Sequence, residues 1–210
     1  MRGVRSFYAD GALGSRGAAL VEPYVDDPAN LGLLVSRWSA HGVTLSRRAL
    51  QAGFQVGVHA IGDRGNLVAL DALEAALGGP RPEARFRIEH AQVMRLQDLQ
   101  RMARLGVIAS MQPTHATSDM PWAGDRVGRR PPAWRLRLAQ GARPPAAGWP
   151  WGSDFPVEAA DPLLGLYAAD HPAGLAGKPQ GAGLPGERLN REEALRGFTL
   201  DAAWSVFLDE

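Results

Sequence analysis

The chain contains no cysteine and only one lysine, Lys178, among its 23 basic residues. The absence of cysteine excludes disulfide bonds and thiolate metal sites. A net charge of +1 gives no electrostatic reason to expect a nucleic-acid partner. No apolar run approaches the roughly 20 residues that a membrane-spanning helix needs. The N-terminal stretch also lacks the apolar core of a signal peptide. We therefore expect a cytoplasmic protein that binds neither nucleic acid nor a membrane.

Short apolar runs alternate with helical patterns along the 210 residues, which are enough for one substantial core. The runs predict strands at 4–9, 54–58, 86–90 and 106–111, and the periodic segments predict helices at 45–52, 66–77, 96–105 and 191–207. Asn190 and Glu193 predict a capping box at the start of the last helix. Strands and helices that alternate with short connections are typical of a parallel α/β sheet. We expect a single domain over 1–210, with irregular structure at 128–150 and 170–186 because proline, glycine and arginine accumulate there.

Polar residues able to bind a metal recur where successive predicted strands end. Asp10 follows the first strand, His59 the second and His90 the third, and Asp154 lies in GSDFPVE near the end of the chain. In parallel sheets and barrels, active sites lie at the carboxyl ends of the strands. A single histidine after an apolar strand is more often a hydrogen-bonded core residue. Because neutral imidazole and carboxylate recur at equivalent positions, the pattern favours a metal site formed by His59, His90 and Asp154.

Six motifs occur in order along the chain: DGALGSRGAAL, VGVHAIGDRGN, FRIEHAQV, GVIASMQPTHATSDMPW, GSDFPVE and REEALRGFT. Together they resemble the amidohydrolase superfamily, and specifically the YtcJ-like amidohydrolase 3 group, whose relatives include N-substituted formamide deformylases. The resemblance runs from about residue 4 to residue 207.

The resemblance implies a partial TIM (β/α)8 barrel of about strands 4 to 8, which lacks the N-terminal strands and the small β domain of the family. It implies a hydrolase of non-peptide C–N bonds in amide-like or formamide-like small molecules, working through metal-activated water. His59 and His90 would bind the metal from the fifth and sixth strands. Asp154 would bind the metal and also act as the catalytic proton carrier. The expected cofactor is a divalent metal, with zinc favoured and manganese, iron or nickel as alternatives.

The loop after the fourth predicted strand carries Gln112, His115 and Asp119, which we expect to contact the substrate, although a merely polar loop is an equal alternative. Asp10 is a further candidate for substrate binding, and its alternative is a capping residue in a glycine turn. Glu89 precedes His90 and is expected on the opposite face of the strand, as a partner for a helix.

Two features depart from the family pattern. The His-x-His pair of its first strand is absent, and Ser6, beside Arg5, stands where the family has a metal-bridging lysine; arginine stays protonated and cannot replace it. We therefore expect a truncated gene product with little activity alone, in which frame shifts produced the two irregular segments. The exposed sheet edges favour self-association into a homo-oligomer. Two alternatives stay open: a non-catalytic α/β remnant or interaction module, and a hydrolase with one metal held only by His59, His90 and Asp154.

Overall fold

Four parallel strands, paired in chain order, form the centre of the fold. A computed structural model describes residues 3–128, 149–171 and 188–209. The strands are β1 (Val4–Tyr8), β2 (Gln55–Ala60), β3 (Arg87–His90) and β4 (Ile108–Ser110). An isolated parallel bridge between Met111 and Trp151 continues the sheet beyond β4. This order confirms the predicted α/β class, in which helices connect parallel neighbours.

Seven α-helices lie within the described residues. They are α1 (Ser36–Gln51), α2 (Asp63–Leu77), α3 (Leu96–Leu105), α4 (Pro113–Val127), α5 (Pro162–Asp170), α6 (Arg191–Phe198) and α7 (Leu200–Ser205). A 3₁₀ turn, Pro82–Ala84, precedes β3. None of these helices is long and apolar enough to cross a membrane.

One face of the sheet is buried beneath the helices. Val56, Val58 and Ile88 are fully buried and belong to the same apolar cluster as Leu70 and Leu73 of α2. A parallel strand that is covered by helices must be apolar, which is why these runs are visible in the sequence. Burying each such side chain contributes about 1.5–3 kcal/mol to folding.

The other face of the sheet is polar and carries His59. Side chains two residues apart share a face, and the register pairs His59 with Glu89 and Gly57 with Arg87. Arg87 Nε donates to Glu89 Oε1 at 2.8 Å, and Arg87 also donates to Gln55 Oε1 at 2.8 Å. The expectation that Glu89 partners a helix is therefore wrong. Its carboxylate pairs with Arg87 of its own strand because alternation places both on the His59 face.

The predicted helix boundaries fail in two places. Helix α1 begins at Ser36, nine residues before the predicted start at 45. This early part of α1 packs closely on α2, because a Cβ on Gly42 would lie 3.1 Å from the Cβ of Ala72. The last predicted helix is not continuous, because Thr199 adopts φ −126° and ψ −91° and separates α6 from α7. The capping box of Asn190 and Glu193 at the start of α6 is confirmed.

The segments predicted to be irregular, 128–150 and 170–186, lie for the most part outside the described residues. The extent of the domain also stays a prediction.

Candidate metal centre

Three histidine rings meet at the carboxyl ends of β2, β3 and β4. The ring of His59 lies 4.6 Å from that of His90, nearly edge-on at 72°. The ring of His90 lies 5.7 Å from that of His115 and is stacked at 11°. His59 is the penultimate residue of β2, His90 is the last residue of β3, and His115 lies in the first turn of α4, the helix that follows β4. The fold therefore brings together three residues whose successive separations in the sequence are 31 and 25 positions.

Two site residues have a left-handed backbone, which costs about 1–3 kcal/mol for a residue other than glycine. The φ angle is 73° at His90 and 57° at Asp154. Simple alternation along β3 would place His90 on the face opposite Glu89, toward the helices. In the structure the backbone of His90 is left-handed, and its ring instead lies between the rings of His59 and His115.

His90, His115 and Asp154 form a group that can hold one metal ion. One ligand atom from each residue lies within 4.8 Å of the other two, and His115 Nε2 lies 3.9 Å from Asp154 Oδ2. Two ligand atoms around a tetrahedral ion are about 3.4 Å apart when each bond is about 2.1 Å long. The separation of His115 Nε2 from Asp154 Oδ2 therefore needs only a small contraction to bind an ion. His115 Nε2 is also buried and has no hydrogen-bond partner among the described residues, as expected of a nitrogen reserved for a metal.

His59 lies beside this group rather than within it. Its Nε2 lies 3.7 Å from Asp10 Oδ1, and it is likewise buried without a hydrogen-bond partner in the described part of the chain. The ring also contacts Tyr8, with centroids 4.9 Å apart. The structure thus places two of the three predicted ligands, His90 and Asp154, in one group and adds His115, which we predicted to contact substrate. The assignment of His59 as a ligand stays a prediction.

Burial keeps all three imidazoles neutral near neutral pH. Burial is the main cause, and nearby His90 adds to it; together they lower the pKa of His59 to about 4. Burial likewise lowers the pKa of His90 and of His115, while Asp154 opposes the shift in both cases. A neutral imidazole has the free lone pair that a metal requires, so the protonation state suits a metal site.

Asp10 is fully buried and bonds to backbone amides of two loops. Oδ2 accepts hydrogen bonds from Ala19 N at 2.9 Å and Gly62 N at 2.8 Å, and Oδ1 accepts one from Ile61 N at 2.9 Å. Burial raises the pKa of Asp10 to about 6, and the three N–H donors oppose that rise. Its oxygens hold the loop after β2 rather than capping a helix. Its predicted contact with substrate stays a prediction.

A cavity of about 400 Å³ opens onto the three histidines, a size typical of small-molecule sites. Its apolar wall comprises Leu13, Ile61, Trp122 and Val157, and its acidic side comprises Asp119, Asp154 and Glu158. Asp119 accepts a hydrogen bond from Gln92 Nε2 at 2.7 Å, and burial raises the pKa of Asp119 to about 6.

Several contacts of the site were not visible in the sequence. Tyr8 is the last residue of β1, and Gln92 follows the end of β3 by two residues. Trp122 lies on α4 three residues, or just under one helical turn, after Asp119. The register of β1 with β2, which pairs Tyr8 with His59, is the signal that could have indicated Tyr8.

Solved metal-dependent hydrolases share this arrangement of strands and helices. The crystal structure of an uncharacterized metal-dependent hydrolase from Pyrococcus furiosus superposes with a TM-score of 0.82 at 37% identity, over 97% of this chain and 40% of that chain. The fold is therefore part of a barrel of the metal-dependent hydrolase type.

The chain belongs to the amidohydrolase family, whose model matches residues 6–210. It is 39% identical to the protein named amidohydrolase YtcJ of Bacillus subtilis (strain 168), over 80% of this chain and 31% of that protein. It is 36% identical to the protein LONG AFTER FAR-RED 3 of Arabidopsis thaliana, over 99% of this chain and 35% of that protein. The chain thus spans about a third of the length of these two relatives. The structural match over 40% of a metal-dependent hydrolase confirms the predicted partial barrel.

Proposed function

We propose that this chain forms the metal-binding side of a hydrolase that cleaves C–N bonds of neutral amide-like small molecules. The observation that carries the proposal is the convergence of His90, His115 and Asp154 beside the cavity. Family membership supports hydrolysis, and the neutral imidazoles support a metal. The C–N bond specificity is our inference from the family resemblance and from the chemistry of the cavity.

A divalent ion bound by His90, His115 and Asp154 would supply Lewis-acid activation of a water molecule and of the substrate carbonyl. The chain's own contribution is positioning and proton transfer. Asp154 Oδ2 faces His115, which leaves Oδ1 as the oxygen that accepts a proton from the attacking water. The Asp154 side chain is 37% exposed and lines the cavity, so it is accessible to a substrate there, and its proposed second role is to return the proton to the leaving nitrogen.

The lining of the cavity disfavours an anionic substrate. Among the described residues that line it, none is lysine or arginine, while Asp119 and Glu158 are acidic. A carboxylate on the substituent of the substrate, away from the metal, would meet these acids with no cationic side chain to pair with among the described lining residues. An amide with an apolar substituent can instead pack against Trp122 and Ile61.

The chain spans only about a third of the length of each relative. We propose the activity for a complete site, in which further barrel strands cover the exposed face of β1, and we expect little activity from these 210 residues alone. Val4 and Tyr8 of β1 are 40% and 61% exposed, whereas a barrel strand is normally covered on both sides.

The geometry also bears on the number of ions. Three ligands with one open position are typical of a catalytic site with a single zinc ion. His90, His115 and Asp154 form such a set, which differs from the set of His59, His90 and Asp154 by one histidine. We propose a single ion with zinc favoured.

Elemental analysis of the purified chain after saturation with zinc tests the proposal. We expect about one equivalent in the wild type and a loss in His90→Ala and in His115→Ala. His41→Ala, which removes an exposed histidine of α1, is the matched control and should retain the metal. Retention in His115→Ala together with loss in His59→Ala would favour the ligand set predicted from the sequence. A folded wild-type chain that binds no metal would refute the proposal.

A further inference from the structure

The side chain of Gln112 lies against His90 outside the group of ligands. Gln112 Oε1 is 2.8 Å from His90 Nδ1, and Gln112 Nε2 donates to the backbone carbonyl of Ser110 at 3.4 Å. The second contact, although long, favours this orientation of the amide, because only the nitrogen end can donate to a carbonyl. The oxygen end then faces His90.

This orientation determines which nitrogen of His90 carries the proton. An amide oxygen only accepts hydrogen bonds, so His90 Nδ1 must donate. In a neutral imidazole the other nitrogen, Nε2, then has the free lone pair. His90 is only 8% exposed, so water competes little for Nδ1.

Gln112 also holds the second histidine of the group. Its backbone carbonyl accepts a hydrogen bond from His115 N at 3.1 Å. It precedes α4 with φ −123° and ψ 103°, and Pro113 begins the helix with its fixed φ. One residue thus contacts the ring of His90 through its side chain and the main chain of His115 through its carbonyl.

We propose that Gln112 is a positioning residue, which holds His90 in the Nδ1-protonated tautomer and thereby presents Nε2 to the metal. This changes its predicted role, since we expected it to contact substrate. Partners that hold a histidine ligand in this way typically change metal affinity by about 10- to 100-fold when they are removed. The role in metal binding rests on the proposed function, whereas the tautomer does not.

Two measurements on the full chain test the proposal. Nitrogen-15 NMR of the imidazoles in the metal-free protein at neutral pH reports the tautomer, and His90→Ala assigns the signals of His90. We expect Nδ1–H in the wild type and a shift toward Nε2–H in Gln112→Leu, which has a similar size but no acceptor. Gln112→Glu retains an acceptor oxygen and should restore Nδ1–H.

Titration with zinc alone gives the second readout. Gln112→Leu should bind zinc about 10- to 100-fold more weakly than the wild type, and Gln112→Glu within a few-fold of it. Gln100→Leu, on an exposed position of α3, is the matched control and should change neither readout.

The outcomes separate this inference from the proposed function. A wild-type chain that binds no zinc refutes the proposed function, while the NMR result still decides the tautomer. His90 in the Nε2–H form in the wild type overturns the inference. Zinc affinity in a folded Gln112→Leu chain equal to that of the wild type overturns it as well.

Discussion

Gly65 leaves no room for a side chain beside Asp10, because a Cβ at position 65 would lie 2.2 Å from Asp10 Oδ2. The first turn of α2 can approach the carboxylate this closely only with glycine. The same carboxylate accepts three backbone N–H groups from the loops after β1 and β2. Asp10 and Gly65 together therefore fix the loop that follows His59.

Replacing Asp10 with Asn should destabilise the chain. An amide offers one oxygen where the carboxylate offers two, so at least one buried N–H donor loses its acceptor. Such a loss costs about 1–3 kcal/mol in the free energy of unfolding, which urea denaturation measures. Asp125→Asn, at an exposed position of α4, is the control and should change it by less than about 0.5 kcal/mol. An Asp10→Asn chain as stable as the wild type would show that these hydrogen bonds contribute nothing.

Asp119 should make stability depend on pH. Its folded-state pKa lies at about 6, above the ordinary value of 3.8, because burial disfavours the carboxylate. Between these two values the folded chain binds more protons than the unfolded chain, so stability falls as pH rises through that window. Asp119→Asn removes this dependence while retaining an oxygen that can accept from Gln92.

The measurement is the difference in unfolding free energy between Asp119→Asn and the wild type at several pH values. The variant should gain stability relative to the wild type as pH rises from about 3.8 to about 6. The gain should be about 1 kcal/mol, since partial exposure screens the full effect of the shift. A difference that stays constant across this window would contradict the prediction.

Arg85, just before the amino end of β3, binds the C-terminal segment 204–209. Its guanidinium lies 4.4 Å from the ring centroid of Trp204 and 4.4 Å from that of Phe207, and it forms two hydrogen bonds to the carboxylate of Asp209 at 2.8 and 3.0 Å. Arg85→Met keeps an apolar stem but loses the planar charge, so we expect about 1–2 kcal/mol of destabilisation, mostly from the rings. Arg85→Lys should recover only part of it, because an ammonium cannot stack or bind bidentately. Full recovery in Arg85→Lys would mean that charge alone accounts for the effect.

The sequence predicted the elements whose signals are local. The helix over 96–105 matches the structure because Leu99, Met102 and Leu105 recur on one face and Gly106 ends it with a left-handed φ of 76°. The N-terminal half of α1 was not predicted, because its sequence has too few apolar residues to show a helical period. It forms against α2, a contact between segments that are distant in the sequence.

The candidate site was predictable in position but not in geometry. Histidine after an apolar strand indicates the carboxyl end of a parallel sheet, so His59 and His90 could be placed near each other. The ring of His90 depends on a left-handed backbone at a residue other than glycine, and no periodicity encodes that. The prediction that Gln112, His115 and Asp119 share a loop was wrong, because α4 (Pro113–Val127) includes His115 and Asp119 and only Gln112 precedes it. No apolar periodicity marks the start of this helix in the sequence.

Gly197 packs against Trp151, which lies three residues before the candidate metal ligand Asp154. A Cβ at position 197 would lie 1.7 Å from the indole of Trp151, whose backbone N donates to Gly197 O at 2.9 Å. Trp151 forms the bridge to Met111 and precedes Asp154 by three residues, so Gly197→Ala must displace the strand that positions Asp154. We expect about 1–3 kcal/mol of destabilisation from overpacking, together with weaker zinc binding.

Gly124→Ala is the matched control, since no atom lies within 4 Å of a Cβ there, and it should be neutral or stabilising by up to about 1 kcal/mol. If Gly197→Ala loses stability but binds zinc as the wild type does, then Asp154 is not held through Trp151.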